Sequence, residues 1–293
     1  MIDATFEPLS VLVCGDQTED ELIIGTARRM SRESPGLPVV DVTERGSIAG
    51  GACNVARQVR ALGGEPFLVT TGPPCLKSRL IVEDGGVTRE VARFDSAWPS
   101  PDPLAFHQLQ RDAEVMTFRQ YRPGRPSESI LADMRRHPAT VKVGDVQAPA
   151  YFAGVLNVVK LSVADAWRNL ARPAPPVHHD TIRAAALSFC RSFGFELVVI
   201  TAGRDGYHAA HVDGVTISGK GIADHPRSVA GAGDVFTATL AMALASRHER
   251  RDALALANIA AGLGVMRPIH LPSITAEDMN TWISTSFHHR ATT

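Results

Sequence analysis

Short apolar runs of strand length alternate with segments of helical period along most of this 293-residue chain, and that alternation restricts its fold more than any other feature. Ser10–Cys14 (SVLVC), Pro66–Thr71 (PFLVTT), Glu114–Phe118, Thr140–Val143, Asn157–Leu161 and Glu196–Thr201 (ELVVIT) read as buried strands. Cys53–Leu62, Ser127–Arg136, Ala164–Leu170, Thr181–Phe193, Gly231–Ala245, Asp252–Val265 and Thr275–Ser284 read as helices, with Ser127 and Ser162 as N-caps. Leu37–Val42 reads as a further strand after a polar excursion (ARRMSRESPG). Ser78–Val82 and Thr88–Phe94 read as short strands with charges on one face. Arg172–Val177 reads as a surface loop, and Tyr207–His211 with Gly214–Ser218 as a hairpin around Asp213-Gly214. The expectation is an α/β fold around a mostly parallel sheet, with ligands beyond the carboxyl ends of its strands.

Charge narrows the function. There are 30 Lys and Arg against 31 Asp and Glu, a net charge of −1, so bulk electrostatics will not hold this chain to nucleic acid. A local basic pocket that grips a small anion remains open. Cys14, Cys53, Cys75 and Cys190 are widely spaced and form no CxxC pair, which points away from a disulfide framework or a zinc site and toward a cytoplasmic setting. The N-terminal stretch has no basic segment followed by a long apolar run, and Val235–Ser246 is too short to span a bilayer, so no membrane partner is expected. His178 and His179 sit in a Pro-rich loop without further ligands nearby; His288 and His289 read as a polar tail.

Four segments carry chemistry. Ser228-Val229-Ala230-Gly231-Ala232-Gly233-Asp234 opens a long apolar helix. Glycines at a helix start let N–H groups without intrahelical partners point at an anion, which the helix dipole also favours. A carboxylate just after them fits the task of taking a proton from a hydroxyl that attacks that anion. An ordinary Gly-rich turn with Asp as a cap is the competing reading. Gly50-Gly51-Ala52-Cys53-Asn54 opens another helix, where paired glycines admit a ligand to the backbone and Asn54 offers a donor and an acceptor to a sugar hydroxyl. The competing reading there is a plain loop-to-helix junction. Gly15-Asp16-Gln17-Thr18-Glu19-Asp20 follows the first strand and could accept two adjacent hydroxyls, or be a solvated acidic loop. Thr201-Ala202-Gly203-Arg204-Asp205-Gly206 could border a nucleotide, or simply turn into the hairpin.

GGACNVARQVRALGG and SVAGAGDVFTATLAMALA, in this order and at this distance, resemble the two signatures of the ribokinase-like (PfkB) carbohydrate kinases, and Thr201–Gly206 is similar to that family's TxGxxG turn. Within the family, GDQTEDELIIGTARRMSRESPGLPVVDVTERGSIAGGACNVA and the later Lys77-Ser78-Arg79 resemble the D-glycero-D-manno-heptose-7-phosphate kinases of ADP-heptose synthesis. The resemblance is specific at both ends of the chain and weak between about residues 73 and 177. It implies a three-layer αβα sandwich, a single kinase domain over 1–293 with small β lid segments at about 22–50 and 76–96. It implies Asp234 as the base and Gly231, Ala232 and Gly233 as the anion hole. It implies Asp20, Gly50, Gly51 and Asn54 on the sugar, and Thr201, Gly203, Gly206 and Asn258 near the nucleotide. ATP with Mg²⁺ would be the phosphoryl donor, and a sugar or sugar phosphate the acceptor. Lys77, Arg79 and Arg93 are candidates for a phosphate already on that sugar, since fixed cations suit the task; a solvated strand face is their competing reading. An unpaired lid strand would pair across a homodimer.

The chain also departs from that pattern. Ser228-Val229-Ala230 stands where the family has Asp-x-Thr, which sets dependence on a monovalent cation. Lys160-Leu161-Ser162-Val163 stands at the place of N-x-x-E, which organises metal and phosphate, and Lys160 could bring charge to phosphate directly. Arg119-Gln120-Tyr121 replaces a Ser-Asp-Tyr turn, and the stretch from Thr71 to Lys77 lacks the helix and strand usual there. No His-rich HxGH-type loop of a second, nucleotidyltransferase domain is expected in FHHRATT. Two readings follow: a sugar kinase, or a catalytically impaired kinase-fold protein that binds sugar or nucleotide. A third, a kinase of a nucleoside or keto-sugar acid, is opposed by the heptose-kinase-like N-terminus.

Overall fold

The computed structural model describes residues 2–100, 112–122, 124–170, 178–267 and 273–291. The first third contributes β1 (Ser10–Gly15), β2 (Gln17–Met30), β3 (Pro38–Gly51), α1 (Ala52–Ala61), β4 (Glu65–Thr70), β5 (Cys75–Asp84) and β6 (Val87–Asp95). The middle contributes β7 (Val115–Arg119), α2 (Glu128–Arg136), β8 (Val141–Asp145), β9 (Val158–Ser162), α3 (Val163–Asn169), α4 (His179–Phe193) and β10 (Leu197–Thr201). Then come β11 (Tyr207–His211), β12 (Thr216–Gly219), α5 (Ala232–Ala245), α6 (Arg250–Met266) and α7 (Ala276–Ala291). The loop expected at Arg172–Val177, and the side chains of His288 and His289, lie outside the described residues.

The main sheet has the order β12-β11-β10-β9-β8-β7-β1-β4. From β4 to β10 every pairing is parallel; β11 and β12 are antiparallel additions at one edge. Alternate residues of each strand point to opposite faces, so the two sides of the sheet build separate cores. Val11, Val13, Val143 and Val199 pack with α1, α5, α6 and α7. Leu12, Cys14, Met116, Leu161 and Ile200 pack with α2, α3 and α4. The architecture is therefore the expected three-layer α/β sandwich. Each fully buried Leu or Ile in it contributes roughly 1.5–3 kcal/mol relative to exposure. No helix among the described residues is long and apolar enough to cross a membrane.

A second sheet, β3-β2-β5-β6, stands apart from the first. The segments expected as a lid fall on it, but its strands are longer than the sequence indicates. Only the start of the polar excursion before Leu37 is strand: β2 runs from Gln17 to Met30, antiparallel to β3 and parallel to β5, and residues 31–36 form the turn into β3. β3 continues past Val42 to Gly51, the N-cap of α1. Both were hidden for one reason. Among the described residues no helix covers the outer face of this sheet, so its strands carry charges where a buried strand carries apolar side chains. The short connection from Thr71 to Cys75 carries no helix or strand, and it leaves β4 as the free edge of the main sheet.

Candidate active site

The carboxyl ends of the parallel strands place charged groups side by side. Asp16 follows β1, Arg119 ends β7 and Asp145 ends β8. Asp16 is buried and fully engaged: it accepts from the Tyr121 and Arg122 N–H groups at 2.8 and 2.6 Å and from the Thr71 hydroxyl. It ties β1, β4 and β7 together and does not line the cleft above the sheet, whereas Asp20 on β2 does.

Above these ends lies a cleft of about 660 Å³, walled on its far side by the second sheet. Gly231, Ala232, Gly233 and Asp234 line it, together with Asp20, Gly50, Gly51, Asn54, Lys77, Arg79 and Arg93. Two segments remote in sequence, GGACN and GAGD, thus meet in one space. Gly231, with φ 77°, is the N-cap of α5 and adopts a left-handed conformation that glycine takes at least cost. Asp234, in the first turn of α5, is 2% exposed. Its Oδ1 accepts from Arg119 Nε at 2.7 Å and its Oδ2 from Asn54 Nδ2 at 3.1 Å. Burial pushes its carboxyl above the ordinary aspartate value; Arg119 and the Asn54 hydrogen bond oppose that rise, Asp145 adds to it and Lys160 opposes it.

A buried network surrounds this carboxylate. Arg119 Nη1 reaches Asp145 Oδ2 at 2.9 Å, and Lys160 Nζ reaches the same oxygen at 2.8 Å. Burial works against the charge on Arg119, but Asp145, Tyr121 and Asp234 more than offset it, and the guanidinium is held above its ordinary value. The Lys160 ammonium lies against the backbone of Gly233, 2.7 Å from where a Cβ would stand. Arg57 Nη2 donates to Asn54 Oδ1 at 2.7 Å and to the Ala49 carbonyl at 3.0 Å, which orients the Asn54 amide. No Asn-x-x-Glu stands at Lys160–Val163, and the acid that follows, Asp165, belongs to a helix cap. Ser162 Oγ caps α3 by accepting from the Asp165 N–H at 3.1 Å and donates to Asp165 Oδ2 at 2.6 Å.

The wall formed by the second sheet carries three cations interleaved with carboxylates. Cross-strand register sets Asp20 beside Lys77 and Lys77 beside Asp95, with Arg79 beside Arg93 in a neighbouring row. Arg79 Nε donates to Asp20 Oδ1 at 3.0 Å and its Nη1 to Glu90 at 2.8 Å; Arg93 pairs with Asp95 at 2.6 Å. Lys77 is buried, and its Nζ stands 4.0 Å from the centre of the Tyr121 ring, which also carries the Arg119 guanidinium at 3.7 Å. Burial lowers the Lys77 ammonium from its ordinary value, with Asp20 pulling it back.

The four nucleotide candidates do not line this cleft. Thr201, Gly203, Gly206 and Asn258 gather instead around residues 219–221. Gly206, with φ 88°, packs against Gly219 and Gly221, and Asn258 Nδ2 donates to the Lys220 carbonyl at 2.8 Å. Thr201 Oγ1 donates to Leu161 O at 3.2 Å. Arg57, Asp145 and the roles of Arg119 and Tyr121 escaped the sequence reading. A signal existed for two of them: Arg119 and Asp145 each close a strand of the sheet, at the end where ligands of parallel sheets sit.

Residues 159–268 match the pfkB family carbohydrate kinases. The chain is 31% identical to the "Bifunctional protein HldE" of Caulobacter sp. (strain K31), over 94% of this chain and 62% of that one. It is 30% identical to the protein of the same name from Paramagnetospirillum magneticum, over 87% of this chain and 59% of that one. The chain thus spans about six-tenths of the length of the curated relatives it matches. Its fold is similar to that of phosphofructokinase-2 from Escherichia coli in complex with substrates and products (TM-score 0.73, 15% identity, 95% of this chain and 99% of that one). It is also similar to that of Arabidopsis thaliana ribokinase complexed with ribose and ATP (TM-score 0.68, 16% identity, 94% and 98%). Residues 159–268 thus carry the pfkB family carbohydrate kinase match, and the whole chain has a fold similar to those of phosphofructokinase-2 and ribokinase.

Proposed function

We propose that this chain transfers the γ-phosphoryl group of ATP to a hydroxyl of a sugar that already bears a phosphate, with a heptose 7-phosphate as the acceptor its relatives suggest. One observation carries the reading: the Asp234 carboxylate and the Gly231–Gly233 backbone share a single cleft with Asp20, Asn54, Lys77 and Arg79. Phosphoryl transfer needs a base, an anion site and a held acceptor within one such space.

In this reading the acceptor hydroxyl gives its proton to Asp234. The hydroxyl oxygen forms the new bond to phosphorus as the bond to the β-bridging oxygen breaks, and ADP leaves with that electron pair. The amides of Ala232 and Gly233 and the Lys160 ammonium would meet the phosphoryl oxygens, with Lys160 at the Gly233 backbone. Asp20, Gly50, Gly51 and Asn54 hold the sugar, and the second sheet closes over it as a lid. Arg79 and Lys77 take the phosphate already present, assisted by Arg93. Nucleotide lies toward Thr201, Gly203, Gly206 and Asn258.

Among the described residues no group of three or more His, Cys, Asp or Glu side chains is placed to hold a metal ion. That fits Mg²⁺ carried on a triphosphate, which binds mostly phosphate oxygen and water and asks the protein for one or two carboxylates at most. When bound it supplies charge neutralisation between the phosphates. The setting proposed is the cytoplasm; all four cysteines are free.

The test is Asp234→Asn in an ADP-release assay with heptose 7-phosphate and MgATP. Turnover is expected to fall by about 10²- to 10⁴-fold while acceptor binding persists. Turnover at the wild-type rate would reject Asp234 as base. A second reading, a kinase-fold protein that binds ligand without turnover, rests on the engagement of both Asp234 oxygens by Arg119 and Asn54. It predicts thermal stabilisation by sugar phosphate or ATP with no ADP formed by the wild-type protein.

A further inference from the structure

We infer that Arg119 is a positioning residue that keeps the buried Asp234 carboxylate ionised and aimed, through a fork that spans Asp234 and Asp145 at once. The inference rests on the reading of Asp234 as the base. The geometry is explicit. Arg119 Nε donates to Asp234 Oδ1 at 2.7 Å while its Nη1 reaches Asp145 Oδ2 at 2.9 Å, so one planar group, from the end of one strand, fixes two carboxylates from two other elements. The stem cannot swing away, because the guanidinium lies on the Tyr121 ring at 3.7 Å and its side chain is 13% exposed.

The groups that shift Asp234 can each be assigned a direction, with the Tyr121 phenol beside them under the Arg119 guanidinium. A carboxyl this deeply buried on α5 is driven toward its neutral form, and a neutral acid cannot accept the hydroxyl proton. Asp145 from β8 pushes the same way. Arg119 from β7 and the Asn54 amide from α1 push toward the carboxylate, as does Lys160 from β9. Lys160, however, spends its direct contact on Asp145, at 2.8 Å, and Asn54 carries no charge. Arg119 is therefore the one cation among these groups in direct contact with Asp234. The same contact occupies Oδ1, so the acceptor hydroxyl is left to approach Oδ2, where Asn54 is the neutral partner that must share it.

The experiment reads Asp234 itself. Protein labelled with side-chain carboxyl ¹³C aspartate is titrated by NMR, and the Asp234 signal is identified as the one missing from Asp234→Asn. In Arg119→Gln the midpoint is expected to rise by about 1–3 pH units, the size of effect an adjacent opposite charge has on a carboxyl. An unmoved midpoint overturns the inference. If Arg119→Gln does not fold, Asp145→Asn decides. It leaves the arginine in place and removes the opposing charge, so the midpoint is expected to fall, and a midpoint that stays or rises overturns the inference. Acid limbs of kcat/KM for heptose 7-phosphate, measured on the same proteins, are expected to move with the NMR midpoints; the acceptor's own ionisation is common to all of them. Turnover surviving in Asp234→Asn, with the Arg119→Gln midpoint shifted, would sink the base assignment and leave the electrostatic inference standing. Lost turnover in Asp234→Asn with an unmoved Arg119→Gln midpoint would do the reverse.

Discussion

Gly231 faces the side-chain amide of Asn54 so closely that a Cβ on the glycine would stand 2.7 Å from Nδ2. The two residues are 177 positions apart, and each opens a different helix. Their contact is the seam along which the sugar-side and phosphoryl-side halves of the cleft are joined. Gly231→Ala is expected to act twice. The left-handed φ of 77° costs a non-glycine residue about 1 kcal/mol, and the new methyl pushes Asn54 off Asp234 Oδ2. A folded protein with a modest loss of thermal stability and a much lower kcat is the expected outcome, from calorimetry and ADP release together. Unchanged kcat would show that the Asn54 contact has no part in turnover.

Lys77 and Arg79 make a prediction about acceptor choice. Charge-assisted hydrogen bonds are worth about 1.5–3 kcal/mol. Arg79→Gln should therefore raise KM for heptose 7-phosphate by about 10- to 100-fold, and KM for unphosphorylated heptose by much less, through the loosened Asp20 alone. Equal effects on both acceptors would remove the phosphate from this wall of the cleft and leave Arg79 as the partner of Asp20 and Glu90 alone.

The last helix offers a test of stability against pH. Thr275 Oγ1 accepts from the Asp278 N–H at 3.1 Å, and Asp278 Oδ2 accepts from the Thr275 N–H at 2.8 Å, a reciprocal cap of α7. Thr275→Ala should cost about 1 kcal/mol, which lowers Tm by a few degrees in a domain of this size. Burial alone would raise the Asp278 carboxyl, but the Thr275 hydrogen bonds and Arg267 outweigh it and hold the carboxyl below its ordinary value. Stability from a depressed carboxylate is present above its unfolded value and lost as pH falls through the folded one. Asp278→Asn should thus be less stable than wild type at pH 7, with the gap closing below about pH 4. A gap that persists at low pH would assign the effect to packing.

The second sheet carries a prediction of assembly. β3 is one of its edges, 14 residues long, with Val42 exposed on it and Leu37 exposed just before it. An edge of that length is a template for strand pairing with another chain. We expect a homodimer through this sheet, dispersed by Val42→Lys, with sedimentation velocity as the measurement. A wild-type protein that sediments as a monomer at every concentration would refute it.

Local pattern was enough for part of this protein. Apolar runs and helical period located the strands of the main sheet and its helices, because a strand buried on both faces has to be apolar throughout. Ser127 and Ser162 announced the caps they form. Glycines at two helix starts pointed to the two ends of the cleft, since only bare backbone lets a ligand come so near. The second sheet was legible only in pieces: β2 groups its charges in blocks on either side of a run of three apolar residues, without the alternation that marks a strand, and its pairing with β5 spans nearly 60 positions. Arg119, Asp145 and Lys160 show the deeper limit. Each sits alone in sequence after or within an apolar strand, and nothing local says that three neighbouring strands set Arg119 and Lys160 on one Asp145 oxygen and Arg119 on Asp234, each contact under 3 Å. Chain chemistry determined which residues have hydroxyl-, anion- and proton-handling groups. Tertiary packing alone decided which charges share a buried space, and in a low-dielectric interior that sharing sets whether a carboxylate is ionised and where it points.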